Sequence, residues 1–127
     1  VASWTASRSK TFQTTSGGFM KRSVNTLTIA INTTASSSVQ LQASLPAMLL
    51  MPPAITGTAV SFDVSVDGGD TWYRVYWGGA DYTLPVAANK AVPVNGALFL
   101  GADQVRVVSN ATELAARSII LVLEGAN

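Results

Sequence analysis

The chain has 127 residues, 48% of them apolar and only 12% charged, with eight Lys and Arg against seven Asp and Glu and neither His nor Cys. That length fits one domain around a single core, and the two missing residue types exclude disulfides, thiolate nucleophiles, Cys- or His-ligated zinc and the usual general base near neutral pH. A formal net charge of +1 leaves no nucleic-acid footprint for the chain as a whole.

Residues 1–22 carry Arg8, Lys10, Lys21 and Arg22, no acid, and a background of Ser, Thr and Gly. Low hydrophobicity makes one reading a solvated terminus. The widely spaced Trp4, Phe12, Phe19 and Met20 support another, an extended basic arm whose anchors and cations dock on a partner. Four separated cations are a sparse phosphate contact set, so nucleic acid is not the expected partner. No signal-peptide core follows the basic start, and no apolar run reaches the roughly 20 residues a spanning helix needs, so a soluble product is expected and no membrane partner.

From Val24 onward the period is two. Val24, Thr26, Thr28 and Ala30 alternate with Leu27, Ile29 and Ile31; Val39, Leu41, Ala43 and Leu45 alternate with Gln40, Gln42 and Ser44; Val60, Phe62, Val64 and Val66 alternate with Ser61, Asp63 and Ser65. Further strands are expected at residues 72–77, 97–100, 104–109 and 118–124. The last is apolar on both faces, which predicts a central strand or one packed under a neighbouring subunit. Turn clusters separate the strands at 32–38, 52–57, 68–69, 78–79, 85–93 and 95–96, and only residues 111–117 could hold a helical turn, with Glu113 and Arg117 at i,i+4. The pattern predicts an all-β domain over residues 23–127, an antiparallel β-sandwich of jelly-roll or immunoglobulin-like type with seven or eight strands, preceded by the arm 1–22.

Ser65, Asp67, Gly69, Thr71 and Trp72 form a Ser-x-Asp-x-Gly-x-Thr-Trp pattern that resembles the Asp box of sialidases. Physically it closes a hairpin: the Asp67 carboxylate accepts turn N–H groups, Gly69 permits positive φ and Trp72 packs over the turn. A Ca²⁺ loop at Asp63, Asp67, Asp70 and Asp81 lacks EF-hand spacing. No metal or other cofactor is therefore expected. Trp72, Arg74, Tyr76, Trp77 and Tyr82 crowd the next segment, and two readings stand side by side. Both faces of this strand are covered by core, or one is an exposed aromatic platform able to stack on carbohydrate or a protein partner. Catalysis is not expected, because neither a separated acid and base pair nor a nucleophile with its base is in sight.

As a pattern, the Ser/Thr-rich arm, the segment Phe62 to Gly69 running into Trp72, the loop Pro85 to Gly96 and the strands at 104–109 and 119–124 resemble capsid decoration (cement) proteins of tailed bacteriophages. The resemblance implies a β-sandwich, commonly a homotrimer, made in the host cytoplasm and seated on the capsid surface of the virion. There it would bind the major capsid protein, with the arm residues Trp4, Arg8, Lys10, Phe12, Phe19, Lys21 and Arg22 clamping neighbouring coat subunits. A phage tail, baseplate or fibre component and a carbohydrate-binding β-sandwich module are the alternatives.

Overall fold

Strands of alternating or doubly apolar character dominate the computed structural model, which describes residues 20–126. In chain order they are β1 (Met20–Ile29), β2 (Ala35–Gln40), β3 (Ser44–Leu50), β4 (Ala59–Ser65), β5 (Tyr73–Arg74), β6 (Tyr76–Trp77), β7 (Ala80–Asp81), β8 (Thr83–Pro85), β9 (Ala91–Pro93), β10 (Gln104–Ser109) and β11 (Arg117–Ala126), with one 3₁₀ turn at Gly96–Phe99. Nine of them form a single sheet in the order β5-β4-β10-β2-β1-β11-β3-β9, with β8 also paired to β4, while β6 and β7 make a separate ribbon. Every pairing is antiparallel.

The sheet curls into a half-barrel, and β2 meets β1 through the one register pair Ile29↔Ser36. On one side lie β1, β11, β3 and β9; on the other lie β2, β10, β4, β5 and β8. Period-two alternation points one row of each strand into the space between them. Leu27, Ile29, Leu49, Ile119, Leu121 and Leu123 come from the first half, Val60, Phe62, Val105 and Val107 from the second, and all belong to one core. Phe99 from the 3₁₀ turn meets Phe62 edge-on at 5.2 Å, and Tyr82 stacks on Phe62 at 5.9 Å. Truncating Phe62 at this junction would cost roughly 3–5 kcal/mol by the usual large-to-small rule.

Three connections that carry the chain between the halves meet at Glu113, which is fully buried. From the β1–β2 turn, the Asn32 N–H donates to the Glu113 carbonyl at 2.8 Å, and the Glu113 N–H donates to the Thr33 carbonyl at 3.0 Å. From the β3–β4 loop, the N–H groups of Thr56 and Gly57 donate to the carboxylate at 2.9 and 3.0 Å. Within the β10–β11 loop, Ser109 Oγ and Arg117 Nε add bonds of 2.8 and 2.9 Å. Burial by itself would raise the pKa of this acid, but the Thr56 N–H, the Arg117 guanidinium, the Gly57 N–H and the Ser109 hydroxyl together hold it at about 2.

The antiparallel all-β expectation holds; where the spacing predicts seven or eight strands, eleven, several of only two or three residues, lie among the described residues. Residues 39–45 do not make one strand. The chain turns at Gln42 and Ala43, both with positive φ, and their alternation is split between β2 and β3. Residues 35–38, taken from composition as turn, are strand because Ser36, Ser37 and Ser38 give hydroxyls to the sheet: Ser36 Oγ accepts from the Val107 N–H, and Ser37 Oγ accepts from the Thr28 N–H. In place of the strand expected at 97–100 stands the 3₁₀ turn Gly96–Phe99, capped by Asn95, whose side chain accepts from the Ala97 N–H. The expected helical turn at 111–117 is irregular loop; the Glu113–Arg117 pair forms, but its carboxylate serves the loops rather than a helix.

Candidate functional site

Read across the strands, register converts the sequence into rows of side chains, and two rows on the outside of the sheet differ sharply. On the β5-β4-β10-β2 half, Arg74, Asp63, Arg106 and Ser38 are successive register partners. Asp63 accepts from Arg74 Nε and from Arg106 Nε at 2.6 and 3.1 Å, and Trp72 lies against the Arg106 guanidinium with 4.5 Å from its carbon to the ring centroid. Ser38 Oγ donates to the Gln104 side chain at 3.1 Å. This row pairs its charges with one another.

On the β1-β11-β3-β9 half, Val24, Val122, Met48 and Pro93 make one outer row, and Thr26, Ile120, Leu50 and Ala91 make the next. Val24 is 63% exposed. Two adjoining depressions run along these rows: Val24, Met48 and Val122 line one, and Leu50, Pro52, Ala54, Ala116 and Ile120 line the other, of about 520 Å³. Charge appears at the rim, where Arg22 meets Glu124 at 3.3 Å, and at Arg117, which lines the second depression while paired to Glu113. Sequence reasoning missed this surface although the doubly apolar segment 118–124 announced half of it. The other half comes from β3, whose Pro46 and unbroken apolar run hide its alternation.

A third outward feature is the β6–β7 ribbon. Gly78 and Gly79 both take positive φ, of 70° and 88°, which allows the two-residue turn that reverses the chain between Trp77 and Ala80. The ribbon leaves Tyr76 and Trp77 66% and 62% exposed, and Tyr73 just before it is equally open. Of the expected aromatic platform, Trp72 lies half-buried against Arg106 and Tyr82 stacks on Phe62, its hydroxyl accepting the Asn95 N–H at 3.1 Å. Arg74, Tyr76 and Trp77 remain on the surface.

The Ser65–Trp72 turn is held from within. Ser65 Oγ donates to Asp67 at 2.8 Å and accepts the Gly69 N–H at 2.9 Å, and the Thr71 N–H donates to Asp67 at 2.9 Å. The Thr71 N–H and the Ser65 hydroxyl keep Asp67 below the usual carboxylate range. With Asp63 committed to two guanidinia, the acids of this region do not converge, and no group of three metal-ligating side chains lies among the described residues.

Of the arm, Lys21 and Arg22 lie in β1, while Trp4, Arg8, Lys10, Phe12 and Phe19 fall outside the described residues. Among the described residues no helix is long and apolar enough to cross a membrane.

No protein-family model matches the chain, and no curated protein matches it. Among solved structures, the SPBc2 prophage-derived protein YomS superposes with a TM-score of 0.57 at 6% identity, over 84% of this chain and 95% of that one. A protein of the disulfide-linked pili that form Bacillus endospore appendages gives a TM-score of 0.44 at 12% identity, over 91% and 95% of the two chains. The likeness to YomS is one of fold.

Proposed function

We propose that this chain is a structural subunit of a phage-type virion, a capsid decoration protein that acts by contact rather than catalysis. The observation that carries the reading is the pair of apolar rows on the outside of β1, β11 and β3. An uncovered aliphatic surface of that kind marks an interaction site in a soluble protein. Each methylene it buries contributes about 0.8 kcal/mol. The occupant is a second copy of the chain in a closed oligomer, a trimer in this proposal. At the rim Arg22 and Glu124 offer one charge of each sign, so each cation can meet a neighbour's anion when identical copies associate. The basic segment before β1, with Arg8, Lys10 and its aromatic residues, then reaches the major capsid protein. Binding of this kind stabilises a shell by mass action, because the intact form binds and the opened form does not. That a prophage-derived protein shares the fold supports the setting.

Two measurements test it. Light scattering on the purified chain should give an oligomer that Val122→Asp converts to folded monomers. Co-sedimentation with phage heads lacking the decoration protein should be lost when residues 1–19 are removed, a cut that leaves β1 whole. An oligomer indifferent to Val122→Asp would remove the face from the proposal, and heads bound equally well without residues 1–19 would remove the arm.

A further inference from the structure

The apolar rows leave the β6–β7 ribbon unexplained. Its surface is of a different kind, aromatic and polar rather than aliphatic. Tyr76 is the register partner of Asp81 across the ribbon, so the two share a face. Arg74 Nη1 stands 3.7 Å from Asp81 Oδ2, which brings the guanidinium to the same carboxylate. Three side chains thus converge on one patch: an aromatic ring 66% exposed, a carboxylate 53% exposed and a guanidinium 39% exposed.

The patch is fixed in place. Arg74 is anchored from behind by the buried Asp63 at 2.6 Å, and the two-glycine turn sets the ribbon's geometry. Arg74 Nη2 and Asp81 Oδ1 have no partner among the described residues. On the opposite face Trp77 is paired only with the small Ala80, so its ring is open as well.

We infer that the Tyr76, Asp81 and Arg74 patch binds a neutral pyranose unit of a glycan. A sugar ring presents C–H groups on one face and hydroxyls around its edge. The exposed tyrosine ring suits the first. The carboxylate accepts, and the guanidinium donates, to adjacent hydroxyls in a paired arrangement that neither a lipid nor an aliphatic peptide would use. Charge decides against an acidic sugar: Arg74 and Arg106 are balanced by Asp63 and Asp81, so the neighbourhood carries no net charge to attract an anion. The site is independent of the oligomer face and needs no partner to complete it.

The test is titration of the full chain with cellotetraose, maltotetraose, mannotetraose and chitotetraose, followed by calorimetry, with a sialylated tetrasaccharide alongside. At least one neutral probe should bind with a Kd at or below about 1 mM, a weak but measurable affinity. Tyr76→Ala and Asp81→Asn should each weaken it tenfold or more, Tyr76→Phe should preserve it, and none should move the thermal unfolding midpoint, since both positions are exposed. Failure of every neutral probe at about 10 mM overturns the inference. So does binding that Tyr76→Ala and Asp81→Asn leave intact, or tighter binding of the sialylated probe.

Discussion

The two halves of the curled sheet are built from the same antiparallel pairing, yet their outer surfaces are treated in opposite ways. On β5, β4 and β10 the outer row is Arg74, Asp63 and Arg106, an alternation of charge in which Asp63 answers both guanidinia and Trp72 lies against Arg106. On β1, β11 and β3 it is Val24, Val122 and Met48, with nothing polar to hold water or a neighbouring side chain. A sheet face exposed to solvent is normally polar, opposite an apolar inner face. The first half obeys that rule by pairing its charges, whereas the second departs from it and, under the proposed assembly, is covered by another copy. On that reading the difference separates residues that hold the fold from residues that use it.

The largest effect should come from removing what both halves share. Glu113→Gln leaves the Thr56 and Gly57 N–H groups, Ser109 and Arg117 competing for one neutral acceptor, and urea unfolding should show a loss of about 3 kcal/mol that loosens both faces at once. The same group sets acid sensitivity. Its pKa is lowered from 4.5 to about 2 in the folded chain, so its contribution is complete above the unfolded value and drains away as pH falls from 4.5 towards 2. Stability measured across that window should decline in the wild type and flatten in Glu113→Gln.

Next comes the polar row by itself. Asp63→Asn strips two guanidinia of their counter-charge, and because both reach solvent the expected loss is nearer 2 kcal/mol, with the oligomeric state unchanged. The converse change on the apolar half, Val122→Asp, should alter the stability of the isolated chain by less than about 1 kcal/mol yet abolish self-association, seen by light scattering. If Val122→Asp unfolded the chain and Asp63→Asn dissociated it, the distinction between the halves would be inverted. Smallest is the rim: Arg22→Ala should cost under about 0.5 kcal/mol, vanishing at high salt, because Arg22 is more than half exposed.

Much of this plan was legible in residue order. Alternation separated the two faces of β1 and β4, strands were expected at 104–109 and 118–124, and the two-sided apolarity of 118–124 marked β11 as central, where it lies between β1 and β3. What alternation could not carry was register. Arg106 and Asp63 are 43 positions apart, and only pairing brings them within reach. Serine at 36–38 looked like turn because its hydroxyls favour local bonds, yet here they serve neighbouring strands. Glu113 read as one member of a helical ion pair, since its other donors come from backbone N–H groups that have no identity in a sequence. The exposed tyrosine and tryptophan of the ribbon were named by composition, but their separation from Trp72 and Tyr82 follows from the irregular join between β5 and β6.

The pairing of β1 with β11 also has a mechanical side. Met20 is the register partner of Ala126, so the described chain enters and leaves at the same end of one ten-residue ladder. Tension applied between those two ends would part the strands like a zipper, one pair of bonds at a time and at low force. Tension entering through the broad surfaces of the sheet would instead strain many bonds together. The described fold is therefore strong where its faces are gripped and weak where its ends are pulled.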